Sequence, residues 1–276
     1  MEQIPLVSIC CITYNHANYI SNTIESFLKQ ETTFSYEIII NDDASTDGTA
    51  AIIKEYHDKF PDIIKPILQK ENQYSKGIRG MNPRFTFPVA KGKYIAVCEG
   101  DDCWIDPHKL QRQVDFLENH EDFTLTCSFF LEQKGDIINE VTYNTDGLIY
   151  NEIYNGYEFG LKDTVGRWLT KTLTLCFRKS AINGILEKDY KYLRDVHVVF
   201  HILDQGMGFL FKEFMGMYIS HGMGVHSALD KRALIETGYN VYKELSVANK
   251  NHPLARAMFL RASANLFQEY LLIVGI

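Results

Sequence analysis

The sequence lacks several features that would assign it quickly to a large class of proteins. No stretch approaches the roughly 18 consecutive apolar residues that a membrane-spanning helix needs. The first residues, MEQIPLVSICCITYN, carry no basic region and no small-residue cleavage site, so no signal peptide is expected there. The six cysteines include no CxxC pair, which argues against a zinc site and favours reduced thiols in the cytoplasm.

Basic residues are also scarce relative to acidic ones, with 28 Lys and Arg against 35 Asp and Glu. The formal net charge of −7 argues against nucleic-acid partners, because sequence-independent binding to them depends on basic surface. The two usual phosphate-binding signatures, GxxxxGK[ST] and GxGxxG after a strand, are missing. These absences point away from P-loop hydrolysis and from NAD chemistry.

Strand-like and helix-like segments alternate through the first half of the chain. The predicted strands lie at Leu6–Ile12, Glu37–Ile40, Ile64–Leu68 and residues 93–98. The alternation predicts an α/β fold with a mostly parallel, Rossmann-like sheet flanked by helices, and Ser45 or Thr46 is expected to cap the second helix. Short β-prone segments after about residue 124 predict a smaller antiparallel addition, and the composition becomes helical from about residue 228.

Polar side chains follow three of these predicted strands at the point where each strand ends. Thr13–Tyr14–Asn15 follows the first strand, Asp42–Asp43 follows the second, and Glu99, Asp101 and Asp102 follow the fourth. Ligands bind beyond the carboxyl ends of the strands in sheets of this kind. The sequence therefore predicts one acidic crevice at this edge of the sheet.

The three carboxylates of the segment CEGDDCW allow three interpretations. They could cap the following helix, although one Asp suffices for that. They could be a glycosidase pair, but such carboxylates approach the scissile bond from separate elements, about 5 to 9.5 Å apart. They could hold Mg2+ or Mn2+, whose charge would offset their mutual repulsion and bind a diphosphate. The third interpretation explains the accumulation of acids most directly.

A nucleoside diphosphate would also need a place for its base and its phosphates. Tyr14 offers an aromatic face, and Asp42 offers an acceptor for a ring N–H. The Gly-containing loop of residues 70–92 carries basic side chains, among them Arg79, that could contact phosphates.

Three motifs in this order and spacing resemble glycosyltransferase family 2, whose members have the GT-A fold: PLVSICCITYNHANYISNTIESFL, YEIIINDDASTDGT and KGKYIAVCEGDDCW. Two later segments, YLRDVHVVFHILDQG and GMYISHGMGVHS, are similar to the acceptor-side helix and closing loop of bacterial members. The resemblance implies one GT-A domain with a nucleotide-sugar-binding half at 1–124 and an acceptor-binding half at 125–227. Residues 228–276 would form a C-terminal helical extension.

The resemblance implies nucleotide-binding roles for the residues at the first two strand ends. Thr13, Tyr14 and Asn15 would line the nucleoside pocket, with Tyr14 against the base. Asp42 would accept a hydrogen bond from the uracil N3–H. Arg79 joins the predicted nucleotide-binding residues on the charge of its loop rather than on the resemblance.

The segment EGDD corresponds to the DxD motif of the family, with Glu99 in place of the first Asp. Asp101 would contact the ribose or the metal, and Asp102 would contact the metal and the diphosphate. His221 matches a position that helps to hold the metal or the diphosphate. Glu99, shifted by its longer side chain, is assigned to the sugar and acceptor side.

Asp195 corresponds to the catalytic base of the family, although it could also be only the N-cap of its helix. The implied reaction is an in-line displacement with inversion, in which the sugar of a UDP-sugar moves to an acceptor hydroxyl. Trp104 would form a wall for the sugar or would be an ordinary core tryptophan. Bacterial members imply a capsule, O-antigen, exopolysaccharide or lipid-linked saccharide as the acceptor.

Two other functions stay open at this point. A sugar nucleotidyltransferase also uses metal-binding acids on an α/β sheet, but it typically has a basic, glycine-rich loop where this chain has CITYNHANY. A non-catalytic nucleotide-sugar or glycan-binding module would keep the fold without the reaction. The intact EGDD segment and Asp195 favour an enzyme over such a module.

Some residues allow interpretations outside this crevice. His197 and His201 have the spacing of a zinc site, but the Glu of a zinc protease and a third ligand are missing, so one imidazole is expected to line the acceptor cleft. His226 has no assigned role. The apolar run at 266–274 is expected to be a packing face or to rest on a membrane surface. The expected location is the cytoplasm, with peripheral contact to the inner face of the cell membrane.

Overall fold

One sheet runs through both predicted halves of the chain. The computed structural model describes residues 4–164, 167–222 and 230–274. The strands in this part are β1 Val7–Thr13, β2 Tyr36–Asp42, β3 Ile64–Leu68, β4 Tyr94–Glu99, β5 Cys103–Trp104, β6 Phe123–Lys134, β7 Ile137–Val141, β8 Ile149–Asn151, β9 Gly156–Phe159, β10 Cys176–Arg178 and β11 Met207–Ile219. Their order across the sheet is β3-β2-β1-β4-β10-β6-β11-β9-β8, with β5 beside β11 and β7 beside β6.

Helices cover the sheet and form the end of the described chain. The α-helices are α1 Ile20–Leu28, α2 Thr49–Lys59, α3 Lys109–Asn119, α4 Asp195–Leu203, α5 Lys231–Ala248 and α6 Pro253–Val274. A one-turn π-helix lies at Asn82–Thr86, and short 3-10 helices lie at Leu161–Thr164, Thr172–Thr174, Lys179–Ile182 and Ile185–Lys188. Within the described residues, no helix is both long and apolar enough to cross a bilayer.

The first half of the sheet is parallel, as the alternation of elements predicted. β1 pairs in parallel with both β2 and β4, and β2 pairs in parallel with β3. The register places Thr13 beside Asp42 and Ile12 beside Glu99. Three polar strand ends therefore meet at one edge of the sheet, which confirms the predicted convergence.

The second half is more mixed than the sequence predicted. β10 runs antiparallel to β4 and β6, and β9 runs antiparallel to β11, but β6 and β11 are parallel. The apolar segments at 209–211 and 217–219 belong to one strand, β11, whose register against β6 shifts around Phe214. The predicted boundary near residue 124 falls at the start of β6.

The cap predicted for α2 is wrong. The helix begins at Thr49 after Gly48, and Gly48 has a φ of 101°, a value that glycine tolerates best. The Asp47 carboxylate accepts the Thr49 backbone N–H at 3.1 Å. Ser45 and Thr46 instead contact the loop after β1, which brings them into the crevice.

The core lies on both faces of the sheet. One face packs against α1 and α3 through residues such as Ile24 and Leu110, and the other packs against α4 and the two C-terminal helices through Phe200 and Phe259. Cys10 and Cys11 point to opposite faces, as alternation along a doubly covered strand requires. All six cysteines are buried, free thiols.

Candidate functional site

The turn after β4 packs directly on the end of β1. The Gly100 backbone N–H donates to the Ile12 carbonyl at 2.9 Å. A Cβ atom at position 100 would lie 2.6 Å from both Cβ and Oγ1 of Thr13, closer than van der Waals contact allows. Glycine in the EGDD segment therefore lets the acidic turn approach the predicted nucleoside pocket. The Thr13 Oγ1 atom is buried and has no hydrogen-bond partner among the described residues.

Asn15 joins the loops that follow β1 and β2. Its backbone N–H donates to Ser45 Oγ at 2.8 Å, and its side-chain oxygen accepts the Thr46 N–H at 2.8 Å. Asn15 adopts a φ of 57°, in the left-handed region that Asn tolerates better than most residues. Tyr14, 41% exposed, is left at the mouth of the crevice, where its predicted contact with a base is sterically open.

Asp42 lies at the end of β2 with both carboxylate oxygens engaged. One oxygen accepts the Ser45 hydroxyl and the other accepts the Ser45 N–H at 3.0 Å. Burial raises the pKa of Asp42, while these two hydrogen bonds oppose the rise. To contact uracil as predicted, the Asp42 carboxylate would have to accept a further hydrogen bond beside the two from Ser45. This contact stays a prediction.

Asp43, which the sequence analysis left without a role, holds the basic loop against the crevice. Its carboxylate accepts the backbone N–H groups of Gln73 at 2.7 Å and Tyr74 at 3.0 Å. The Arg79 guanidinium lies 3.9 Å from the centre of the Tyr74 ring and donates to the Tyr74 carbonyl. Arg79, predicted to bind nucleotide, is thus attached to the segment that Asp43 anchors.

Asp101 lies between two imidazoles. Its Oδ2 atom is 2.9 Å from His221 Nε2 and 3.5 Å from His16 Nε2. One ligand atom from each of the three residues lies within 4.8 Å of the others, a spacing that fits a shared metal ion. Burial lowers the pKa of His16, which favours the neutral imidazole that ligates metals. His221 and Asp101 were predicted for the metal, and this stays a prediction. His16, which the sequence analysis left without a role, joins them in the same group.

Tyr19 supports this group from the side. Its ring stacks on His221 with the centroids 4.8 Å apart and the planes inclined by 21°. Both Tyr19 and His16 follow β1 in the segment NHANY, so the end of the first strand contributes to this candidate metal-ligating group as well as to the predicted nucleoside pocket.

Asp102 is 2% exposed and fixes the end of β11. Its Oδ1 accepts the Ile219 backbone N–H at 2.9 Å, and its backbone oxygen accepts the Thr23 hydroxyl at 2.7 Å. Burial, followed by the charges of Glu99 and Asp101, raises the pKa of Asp102 well above its usual range. The Asp102 side chain therefore fixes the end of β11, the strand that precedes His221. Direct contact between Asp102 and a metal stays a prediction.

Glu99 provides a buried acceptor atom at the end of β4. Its Oε2 atom has no hydrogen-bond partner among the described residues. Burial, then repulsion from Asp101, raises the pKa of Glu99 to about 7, and the positive charge of Lys171 opposes the rise. Lys171, missed from the sequence, lies 3.5 Å from the centre of the Tyr218 ring.

The unpartnered polar atoms test whether this site suits a ligand. Buried side-chain atoms without partners are uncommon in native structures. Thr13 Oγ1, His16 Nδ1 and Glu99 Oε2 are three such atoms, and all lie in the crevice. Together with the donor set of two imidazoles and a carboxylate, they fit a metal ion and a polar ligand bound across the strand ends.

Asp195 is exposed and is the first residue of α4. The N-cap position belongs to Arg194, so Asp195 does not fill the capping role that the sequence left open. No hydrogen bond or ion pair holds its carboxylate within the part of the chain that the structure describes. The negative charge of Asp195 contributes to the raised pKa of Glu99, so the two carboxylates are close enough to repel each other.

Trp104 does not form a wall of the crevice, so that interpretation is wrong and the core alternative is correct. The side chain is 5% exposed and packs on Phe27, with ring centroids 4.7 Å apart. Its indole N–H donates to the Leu173 carbonyl at 2.8 Å. Pairing of β5 with β11 at Gly216 turns the side chain into the core.

The two histidines of α4 are buried among protein partners. His197 Nε2 lies 3.1 Å from Glu244 Oε2, and His201 Nε2 lies 3.3 Å from the Tyr190 hydroxyl. Burial lowers the pKa of His197 to about 3 and that of His201 to about 4. Neither imidazole lines a cleft, contrary to the prediction, and the described residues offer them no zinc-binding group. His226 lies outside the described residues.

Comparison with protein families gives a match that includes all three strand ends described above. The family model described as "Glycosyl transferase family 2" matches residues 8–182. The teichuronic acid biosynthesis glycosyltransferase TuaG of Bacillus subtilis, a provisional name, is 31% identical over 167 residues, which are 60% of this chain and 61% of TuaG. WfaP of Escherichia coli, a UDP-Glc:alpha-D-GlcNAc-diphosphoundecaprenol beta-1,3-glucosyltransferase, is 38% identical over 128 residues, 46% of this chain and 47% of WfaP.

Solved structures support the GT-A architecture. TarS of S. aureus, in complex with UDP-GlcNAc, superposes with a TM-score of 0.64 at 16% identity, covering 96% of this chain and 72% of that chain. The mannosyltransferase PcManGT of Pyrobaculum calidifontis, in complex with GDP-Man and Mn2+, gives a TM-score of 0.59 at 15% identity, covering 95% and 70%. The matches to TuaG and WfaP span only 61% and 47% of those relatives.

Proposed function

The chain belongs to glycosyltransferase family 2, and from this premise we propose that it is an inverting, metal-dependent enzyme that transfers a sugar from a UDP-sugar to an acceptor hydroxyl. The observation that carries the proposal is the group of Asp101, His16 and His221 beside the unpartnered carboxylate oxygen of Glu99. A metal site with an adjacent buried acceptor suits a sugar diphosphate, whose phosphates and hydroxyls need both.

The residues of this group would hold the cation. His16, Asp101 and His221 offer two imidazoles and one carboxylate, a set that suits Mn2+ better than Mg2+ because Mg2+ prefers oxygen ligands. When bound, the ion supplies positive charge that stabilises the negative charge growing on the departing UDP. Thr13 and Tyr14 would hold the nucleoside, and the Glu99 carboxylate would accept a hydroxyl of the sugar or acceptor.

Asp195 would act as the base that takes the proton from the acceptor hydroxyl. Its carboxylate is exposed and is free of hydrogen bonds within the described residues, so it can receive a proton from a bound acceptor. The acids proposed to bind the donor lie at the ends of β2 and β4, whereas Asp195 lies at the start of α4. Donor binding and proton removal therefore fall to separate residues. Inversion follows if the acceptor oxygen attacks the face of the anomeric carbon opposite to UDP.

A hexose or an N-acetylhexosamine is the proposed sugar. WfaP is named for UDP-Glc, and TarS was solved with UDP-GlcNAc, which supports either donor. The names of TuaG and WfaP, which refer to teichuronic acid and to a diphosphoundecaprenol-linked saccharide, support a cell-surface polysaccharide or its lipid-linked precursor as the acceptor.

The proposal is tested by ligand stabilisation and by a donor screen. Saturating UDP with Mn2+ is expected to raise the melting temperature by on the order of 5 °C, while ATP and NAD leave it unchanged. UDP release should then be measured with Mn2+ from UDP-Glc and UDP-GlcNAc, with a saccharide acceptor or, in its absence, water taking the sugar. Release of GDP from GDP-Man is the control. Stabilisation by ATP, or binding of UDP without release from any donor, would contradict a UDP-sugar transferase.

A lipid-linked acceptor would place the enzyme at the cytoplasmic face of the membrane, and we propose that α6 makes this contact. The helix exposes Leu260 and Phe267, with Arg256 and Arg261 nearby to attract anionic lipid. The protein should sediment with phosphatidylglycerol vesicles, and the double variant Leu260→Glu/Phe267→Glu should stay in the supernatant.

The matched control for vesicle binding changes two exposed isoleucines elsewhere, Ile149→Glu/Ile153→Glu. This variant should sediment like the wild type, because it alters charge and exposed apolar surface away from α6. Loss of sedimentation in both double variants, or a wild type that never sediments, would argue against contact through α6.

A further inference from the structure

Helix α5, the first of the two C-terminal helices, contacts the segment that leads to Asp195. The two carboxylate oxygens of Glu244 accept backbone N–H groups, from Lys191 at 2.7 Å and from Tyr192 at 3.0 Å. Glu244 is mostly buried, with its side chain 18% exposed. Hydrogen bonds to a charged, partly buried acceptor are stronger than neutral ones, so this contact restrains the backbone just before α4.

His197 extends the same contact to the residue next to Asp195. Its Nδ1 accepts the Arg194 backbone N–H at 3.1 Å, which leaves the proton on Nε2, 3.1 Å from Glu244 Oε2. The ring is completely buried and also packs on Tyr190, with the centroids 4.4 Å apart. Burial lowers the pKa of His197 to about 3, so the neutral ring keeps this arrangement at ordinary pH.

The position of Asp195 therefore depends on its neighbours. The backbone on its N-terminal side is tied to Glu244 of α5 through Lys191 and Tyr192. The Arg194 N–H is bonded to His197, whose other ring nitrogen contacts Glu244. The Asp195 side chain has no hydrogen bond of its own within the described residues. Asp195 is the first residue of α4, and its charge raises the pKa of Glu99 in the crevice. Because His197 and Glu244 fix the start of α4, they also fix the position of Asp195.

We infer that Glu244 and His197 are positioning residues for the catalytic base, so that helix α5 is part of the machinery of transfer. The inference rests on the proposed function, because it takes Asp195 as the base. It assigns a role to the segment 228–276, which the family match does not cover. The base is held in place by a helix from the far end of the chain, through one carboxylate and one neutral imidazole.

The test compares two glutamates of α5. Glu244→Ala should lower kcat for UDP release on the order of 10- to 100-fold, because small displacements of a reacting group carry costs of that size. The KM for the donor and the thermal shift caused by UDP with Mn2+ should stay at wild-type values. The control Glu236→Ala, on the same helix and paired only with Arg232 among the described residues, should leave kcat unchanged.

A double-mutant cycle separates positioning from a general structural effect. If Glu244 acts through Asp195, Glu244→Ala should lower the residual rate of the Asp195→Asn variant by less than about 2-fold. Glu244→Gln keeps the shape of the side chain but loses one of the three hydrogen bonds that Glu244 accepts from Lys191, Tyr192 and His197, so its kcat should be intermediate. This variant replaces Glu244→Ala if the alanine variant fails to fold.

Two outcomes would overturn the inference. One is a wild-type kcat in both Glu244→Ala and Glu244→Gln. The other is that Glu244→Ala lowers kcat by the same factor in the Asp195→Asn variant as in the wild type. The assay uses the UDP-sugar that gives the fastest UDP release, with Mn2+. A wild-type chain that releases no UDP from any donor would instead refute the proposed function, and the positioning role with it.

Discussion

Replacing Asp195 by asparagine is expected to reduce sugar transfer by about 100- to 10,000-fold, the range typical of general base catalysis. The amide cannot take the proton from the acceptor hydroxyl, although it has almost the same shape as the carboxylate. The fold should tolerate the change, because Asp195 is exposed and no hydrogen bond or ion pair within the described residues holds its side chain. Affinity for UDP should remain, since the nucleotide is expected to bind at the ends of β1, β2 and β4 and not at the start of α4.

The control for this prediction lies at the other end of the same helix. Asp204→Asn removes an equal charge, at a carboxylate that lies 2.9 Å from His252, and should leave the rate of transfer unchanged. The measurements are kcat for transfer and the thermal shift caused by UDP with Mn2+. Transfer above about one tenth of the wild-type rate in Asp195→Asn would remove Asp195 from the role of base.

Replacing Asp101 by asparagine is expected to abolish the metal-dependent part of UDP affinity. Asp101 provides the carboxylate that the two imidazoles of His16 and His221 share, and an amide is a weak, neutral ligand in its place. The loss should exceed the 10- to 100-fold that is typical when only an outer partner of a metal site is removed. Calorimetric titration of UDP with and without Mn2+ measures the difference directly.

Asp102→Asn is the matched variant, because both acids were predicted to contact the metal. Its side-chain oxygen can still accept the Ile219 N–H, so the end of β11 should keep its position. UDP binding by Asp102→Asn should retain at least part of its response to Mn2+. If Asp102→Asn loses the response and Asp101→Asn keeps it, the metal is held by Asp102 and the group around Asp101 is only a hydrogen-bonded cluster.

The convergence of polar residues at the edge of the sheet could be predicted because it follows from local rules. Apolar runs predicted β1, β2 and β4, and parallel pairing forces their carboxyl ends to one edge. The polar residues that end each run therefore had to meet. The direction of Trp104 could not be predicted in this way, because it depends on the pairing of β5 with β11, more than a hundred residues further along the chain.

The contacts between distant segments account for the other differences. His16 reaches Asp101, and His197 reaches Glu244, through the packing of elements that no local pattern relates. The spacing of His197 and His201 correctly predicted that they lie on one helix. It could not predict that the Glu244 carboxylate lies within hydrogen-bonding distance of the His197 ring. Asp43 left a weak signal, since two adjacent acids after a buried strand need partners, and the backbone N–H groups of the loop supply them.

The binding of a metal ion with UDP at the carboxyl ends of β1, β2 and β4 is the claim on which the rest depends. Diffraction at the manganese absorption edge, from crystals grown with UDP and Mn2+, tests it most directly. The expected result is an anomalous peak bonded to Asp101 Oδ2 and His221 Nε2 and to an oxygen of the diphosphate. UDP bound with no manganese beside Asp101, or manganese and UDP bound away from these strand ends, would contradict the account.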